Sequence, residues 1–121
     1  MKKKILVIDD EPDIAQLLRI FIQGLGYDVD ICRSFESAFR DLGSGYYWAV
    51  FSDYMMPEIT GDRIFFTLKN INTDTASRFV MLTGASIDDK INDLAENHGV
   101  KIIHKPFTLT DIKMILKELE G

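Results

Sequence analysis

The chain has 121 residues, 46% of them apolar and 27% charged, with a net charge of −5. That length predicts one domain spanning residues 1–121, and the acidic balance excludes broad electrostatic binding to nucleic acid or anionic membrane. One cysteine, Cys32, cannot form an internal disulfide, and no apolar run reaches the length of a signal-peptide core or a membrane span, so a cytoplasmic setting is expected.

In chain order, "KILVID" reads as a buried strand that stops on two adjacent acids, Asp9 and Asp10. Pro12 suits the first turn of a helix carrying Ile14, Leu17, Leu18, Phe21, Ile22 and Leu25 at three- and four-residue steps, with Gly26 placed to stop it. "YDVDIC" alternates apolar and acidic residues, as a strand near a sheet edge does. Ser34 can cap a second helix with Phe35, Ala38, Phe39 and Leu42. "WAVFSD" is a third strand ending on an acid, "YMMPEITG" a loop, and Asp62 to Ile71 a third helix with Ile64, Phe65 and Leu68 inward. "RFVMLTG" reads as a fourth strand, and Ser86 with Asp89 resembles a capping box for a fourth helix carrying Ile87, Ile91 and Leu94. "VKIIH" is the fifth strand, and Thr108 with Asp111 caps a last helix with Ile112, Ile115, Leu116 and Leu119 on one face.

Strict strand–helix alternation implies an α/β fold with a parallel sheet covered on both faces. Such doubly wound sheets place ligands beyond the carboxyl ends of their strands. Those ends here are Asp9 and Asp10, Asp53, Thr83, and His104 with Lys105, so three carboxylates, a hydroxyl and an ammonium share one rim. Adjacent carboxylates near an apolar core repel and lose solvation. A cation relieves that cost, and hard oxygen ligands in this number suit Mg²⁺. A carboxylate held there can attack a phosphoryl group to give an acyl phosphate, with the hydroxyl and ammonium steadying the transferring oxygens.

The segments "VIDDEPD", "FSDYMMPEITG", "MLTGAS" and "HKPF" fall in the order and spacing of the receiver domain of bacterial two-component response regulators, which the chain resembles from Lys4 to Leu119. The resemblance implies a flavodoxin-like fold of strand order 2-1-3-4-5. It implies that Asp53 accepts the phosphoryl group and that Asp10 and Asp53 bind Mg²⁺ directly. Asp9 would bind the ion through water, and the Met55 backbone carbonyl would add an oxygen. Thr83 and Lys105 would contact the phosphoryl group, and the Lys105–Pro106 bond would be cis. The implied donor is a phosphohistidine on a sensor histidine kinase or phosphotransfer protein. The implied output passes through the fourth helix, fifth strand and fifth helix to a downstream protein or output domain, with no nucleic acid or membrane contact by this domain. Receivers of this kind are switches rather than enzymes.

One departure stands out. Where receivers carry Tyr or Phe three positions before the lysine, this chain has Ile102, which has no ring to rotate. Met55 and Ala85, two positions past Asp53 and Thr83, offer no proton acceptor to a hydrolytic water, so slow self-dephosphorylation is expected.

Other functions of this architecture fit less well. A phosphatase of the haloacid dehalogenase type needs a second Asp two residues after the nucleophile, where Met55 stands, and so lacks its proton carrier. A flavodoxin-like flavin binder needs a hydroxyl- and glycine-rich loop where "DDEPD" would repel phosphate. Pro57 and Gly61 read as loop punctuation, His104 as a bystander, Cys32 as an inert thiol without a nearby base, His98 as a cation at a helix end, and "KKK" as a solvated tail. With "KELEG" closing the chain directly after the last helix, the expectation is either a stand-alone receiver or a portion of a longer regulator.

Overall fold

The computed structural model describes residues 2–44, 46–84 and 88–121. Five strands, β1 (Lys4–Ile8), β2 (Asp28–Cys32), β3 (Ala49–Asp53), β4 (Phe79–Thr83) and β5 (Lys101–His104), form one parallel sheet of order β2-β1-β3-β4-β5. The helices are α1 (Pro12–Gly24), α2 (Phe35–Ser44), α3 (Gly61–Ile71), α4 (Thr73–Ala76), α5 (Asp89–His98) and α6 (Leu109–Glu120). The expected doubly wound fold and strand order are therefore present. The order reverses between β1 and β3, which puts the switch point of the topology beside the ends of those two strands.

Side-chain alternation divides the core in two. Ile5, Val7, Phe51, Val80 and Leu82 face α1 and α6, packing on Ala15, Leu18, Ile22, Ile112 and Leu116. Leu6, Ile8, Val50, Phe79 and Met81 face the other way, onto α2, α3, α4 and α5 through Ala38, Leu42, Ile64, Phe65, Leu68, Ala76, Ile91 and Leu94. Burial on both faces explains why β1, β3 and β4 read as continuous apolar runs. β2 is an edge strand, and its exposed Asp28 and half-exposed Asp30 blunt that edge.

Local signals explain most element ends. Gly26, just past the end of α1, has a φ of 102° that side-chain-bearing residues avoid. Ser34 Oγ accepts from Ser37 N at 3.2 Å at the start of α2, and Thr108 with Asp111 makes the expected capping box on α6. α5 starts from Asp88, whose side chain accepts from Ile91 N at 2.9 Å. The expected Ser86 box and the positions of Ile87 and Ala85 lie outside the described residues.

Some expectations need correction. Leu17 is 38% exposed because the buried stripe of α1 runs Ala15, Leu18, Ile22, leaving Leu17 one step round the helix. α3 begins at Gly61 rather than Asp62, and α4 is an additional turn capped by Asn72, whose side chain accepts from Thr75 N. The N-terminal lysines are not a free tail. Lys3 pairs with Glu120 and lies 4.6 Å over the Trp48 ring, and Lys4 pairs with Asp30 at 3.1 Å. Tyr27 stacks on the same indole at 5.6 Å, and Arg78 Nε donates to Trp48 O at 2.6 Å. This cluster sits at the start of β3, roughly 16 Å along the strand from Asp53.

Cys32 is buried, but its Sγ donates to Asp41 Oδ2 at 2.9 Å, so a carboxylate does stand beside it. Burial, then that hydrogen bond, pushes the thiol up to about 12. With the proton held on sulfur, low reactivity remains the expectation for this thiol. In the native protein at pH 8, reaction with dithionitrobenzoate should be slower than for a free cysteine by about 10³ from thiolate fraction alone. Native and urea-unfolded chains reacting at the same rate would contradict this environment.

Candidate functional site

The rim is assembled by backbone pairing. Asp9 N donates to Cys32 O at 3.0 Å, which seats the first acid pair beyond β1. Tyr54 N donates to Leu82 O at 2.9 Å and Lys105 N to Thr83 O at 2.8 Å, carrying Asp53 and Lys105 to the same end of the sheet. The Lys105–Pro106 peptide bond is cis.

One oxygen from each of Asp9, Asp10 and Asp53 can be chosen so that all lie within 4.8 Å of one another. Asp9 and Asp53 are buried and Asp10 is half-buried. Lys105 Nζ stands 3.2 Å from Asp53 Oδ1, 3.3 Å from Asp9 Oδ2 and 3.5 Å from Glu11 Oε1. Asp9 Oδ1 accepts the Glu11 backbone N–H at 2.9 Å, so both Asp9 oxygens already have protein partners.

Electrostatics follow from this packing. Burial raises Asp53 above the usual carboxylate range, helped by the Asp9 charge and opposed by Lys105. Burial also raises Asp9, against the Glu11 N–H and the Lys105 charge. Burial works against the charge on Lys105, but the Asp53 and Asp9 carboxylates outweigh it and hold the ammonium above its ordinary value. Hard carboxylate oxygens at this spacing, short of positive charge, fit Mg²⁺.

Thr83 is buried at the end of β4. Met55 is 62% exposed, and its backbone bridges to Thr60 across the loop that follows Asp53. His104 is exposed. Ile102 is half-buried and packs on the cluster that contains Tyr54 and Met81.

Two residues matter more than their sequence signals suggested. Gly61 is more than punctuation: a Cβ there would meet Met81 Sδ and lie 2.9 Å from Asp53 O, so only glycine lets α3 start against the strand end. Glu11 was embedded in "DDEP" and carried no assignment, yet it joins Lys105 directly. A glutamate at a helix N-cap, where shorter side chains are favoured, was the signal.

The family model described as response regulator receiver domain matches residues 5–117. The transcriptional regulatory protein YkoG of Bacillus subtilis is 30% identical over 114 residues, covering 92% of this chain and 48% of that protein. The regulatory protein VanRB of Enterococcus faecalis is 24% identical over 121 residues, covering 100% of this chain and 52% of that protein. The chain thus spans about half the length of these curated relatives. Among solved structures, the response regulator TrrA of Thermotoga maritima, in complex with Mg²⁺ and BeF, superposes with a TM-score of 0.83 at 30% identity, covering 97% of this chain and 98% of that one.

Proposed function

The chain belongs to the family of response regulator receiver domains, and from that membership we propose that it is a signalling switch thrown by phosphorylation of Asp53. The observation that carries the reading is the Lys105 ammonium 3.2 Å from Asp53 Oδ1, inside a ring of acids at the switch point of the sheet. An Asp53 oxygen attacks the phosphorus of a phosphohistidine on a sensor histidine kinase or phosphotransfer protein. The O–P bond forms as the P–N bond breaks, and the histidine nitrogen takes the electron pair. Lys105 and Thr83 receive the transferring oxygens.

Asp10, Asp53 and the Met55 carbonyl would hold Mg²⁺ directly and Asp9 would hold it through water, in keeping with the two protein partners that Asp9 already has. The ion supplies neutralising charge for the phosphoryl oxygens. The 121 residues act as one receiver unit in the cytoplasm, a switch and not a turnover enzyme.

The signal leaves through α5, β5 and α6 to a downstream protein or output domain. With Ile102 in the aromatic position, it runs from Thr83 toward α5 without the rotation of a ring. Beryllofluoride with Mg²⁺, a phosphoryl mimic, tests this by amide NMR. Shifts are expected around Asp53 and also across 88–104 and α6. Shifts that stop at the loops around Asp53 would remove the output face, and no response at all would remove the switch.

A further inference from the structure

We infer that Glu11 is a positioning residue whose carboxylate draws the Lys105 ammonium toward the mouth of the site and so selects against small, highly anionic phosphodonors. The inference rests on the reading of Asp53 as phosphoacceptor. Lys105 meets three carboxylates, and they are not equivalent. The Asp9 and Asp53 side chains are almost wholly enclosed, whereas that of Glu11 is 61% exposed. Glu11 therefore occupies the solvent side of the ammonium, where an incoming phosphoryl group must arrive.

Among the described residues, local structure shows no other side-chain partner for Glu11. Glu11 is the N-cap residue of α1, but it makes no side-chain cap hydrogen bond. The helix start is secured by Pro12 in the first turn, and the Glu11 N–H is taken by Asp9 Oδ1. A serine or aspartate would serve better as a cap. What a glutamate adds is reach, and its carboxylate spends that reach on Lys105 at 3.5 Å.

The consequence is a matter of charge. Asp9, Asp10, Asp53 and Glu11 carry four negative charges in their ionised forms against the one positive charge of Lys105 and the two that Mg²⁺ would bring, so the Glu11 charge is what would leave the loaded site net negative. A phosphoryl dianion must displace Glu11 from Lys105 or share the ammonium with it. Acetyl phosphate, whose leaving group departs as the acetate anion when its P–O bond breaks, meets that opposition in full. Phosphoramidate, whose P–N bond breaks with a protonated nitrogen that leaves as ammonia, carries less net negative charge and meets less.

The test compares wild type with Glu11→Gln and Glu11→Asp, measuring phosphorylation rates with both donors at saturating Mg²⁺, in low and in high salt. An exposed ion pair is worth a factor of about two to five. Glu11→Gln should accept phosphate from acetyl phosphate faster by that factor at low salt and gain less with phosphoramidate. The advantage should shrink in high salt as the charge is screened. Glu11→Asp, with its carboxylate drawn back by one methylene, should fall between. The apparent affinity for beryllofluoride, read by NMR without any turnover, should rise in the same order.

An unchanged or slower acetyl phosphate rate in Glu11→Gln overturns the inference. So does an equal gain with both donors at both salt concentrations, since that signature belongs to a structural effect. A wild-type chain that takes no phosphoryl group on Asp53 brings down the underlying reading as well. A wild type that is phosphorylated but indifferent to Glu11 removes this inference alone.

Discussion

The Asp53→Asn chain is expected to gain no phosphoryl group from acetyl phosphate and Mg²⁺ under conditions where wild type gains one, about 80 Da by intact mass. The substitution keeps the shape of the side chain and removes its nucleophilic charge. Lys105 keeps Asp9 and Glu11 as partners, so the site should not collapse. The two neighbouring acids are poor substitutes. Asp9 is 0% exposed with both oxygens engaged, and Asp10 would be taken up as a direct Mg²⁺ ligand in the proposed arrangement. Loss of the nucleophile should lower the rate by at least about 10³, in line with the loss of other catalytic nucleophiles. Peptide mapping of the wild-type adduct should place it on the segment containing Asp53. An Asp53→Asn chain that is labelled at the wild-type rate would end the assignment.

Neutralising Asp9 should raise stability. In the metal-free protein at pH 7, Asp9→Asn is expected to melt about 3–6 °C higher than wild type, the shift that follows from roughly one kcal/mol in a domain of this size. Burial holds the Asp9 carboxyl above its unfolded value, so at neutral pH its charge is less favourable in the fold than in the unfolded chain. The sign of the pH dependence follows. Between 3.8 and the raised value, the folded chain holds protons that the unfolded chain has released, so stability falls as pH rises through that window. The advantage of Asp9→Asn should therefore fade on acidification, as wild-type Asp9 becomes neutral too. The amide can still accept the Glu11 N–H, so the turn into α1 survives. Saturating Mg²⁺ should close the gap from the other side by stabilising wild type more than the variant. A lower melting temperature for Asp9→Asn at pH 7 without metal would show that the Lys105 contact outweighs the burial cost.

Most of this architecture was legible because parallel strands buried on two faces must be apolar throughout, and the helices between them must carry stripes. β1, β3 and β4 were found for that reason, and the edge position of β2 showed in its alternating acids. The convergence of Asp9, Asp10, Asp53 and Lys105 was also readable, since the ends of parallel strands share a rim by construction. What escaped were features decided by three-dimensional neighbours. α4 is one short turn with too few residues to show a period. The need for glycine at 61 depends on Met81 and the Asp53 carbonyl, which are distant in sequence or hidden in the backbone. Lys3 looked solvated because its partners, Trp48 and Glu120, lie in β3's approach and at the end of α6.

The sheet also acts as a partition. One apolar cluster belongs to α1 and α6, the other to α2 through α5, and the strand backbones run between them. Residues such as Ile22 and Leu68 belong to different clusters on opposite faces of the sheet, so changes to them should combine as independent increments of free energy. Heredity can exploit that independence. A descendant chain can remodel the helices on one side for a new associate while the packing on the other side, and the acid rim held at the strand ends, is inherited unaltered.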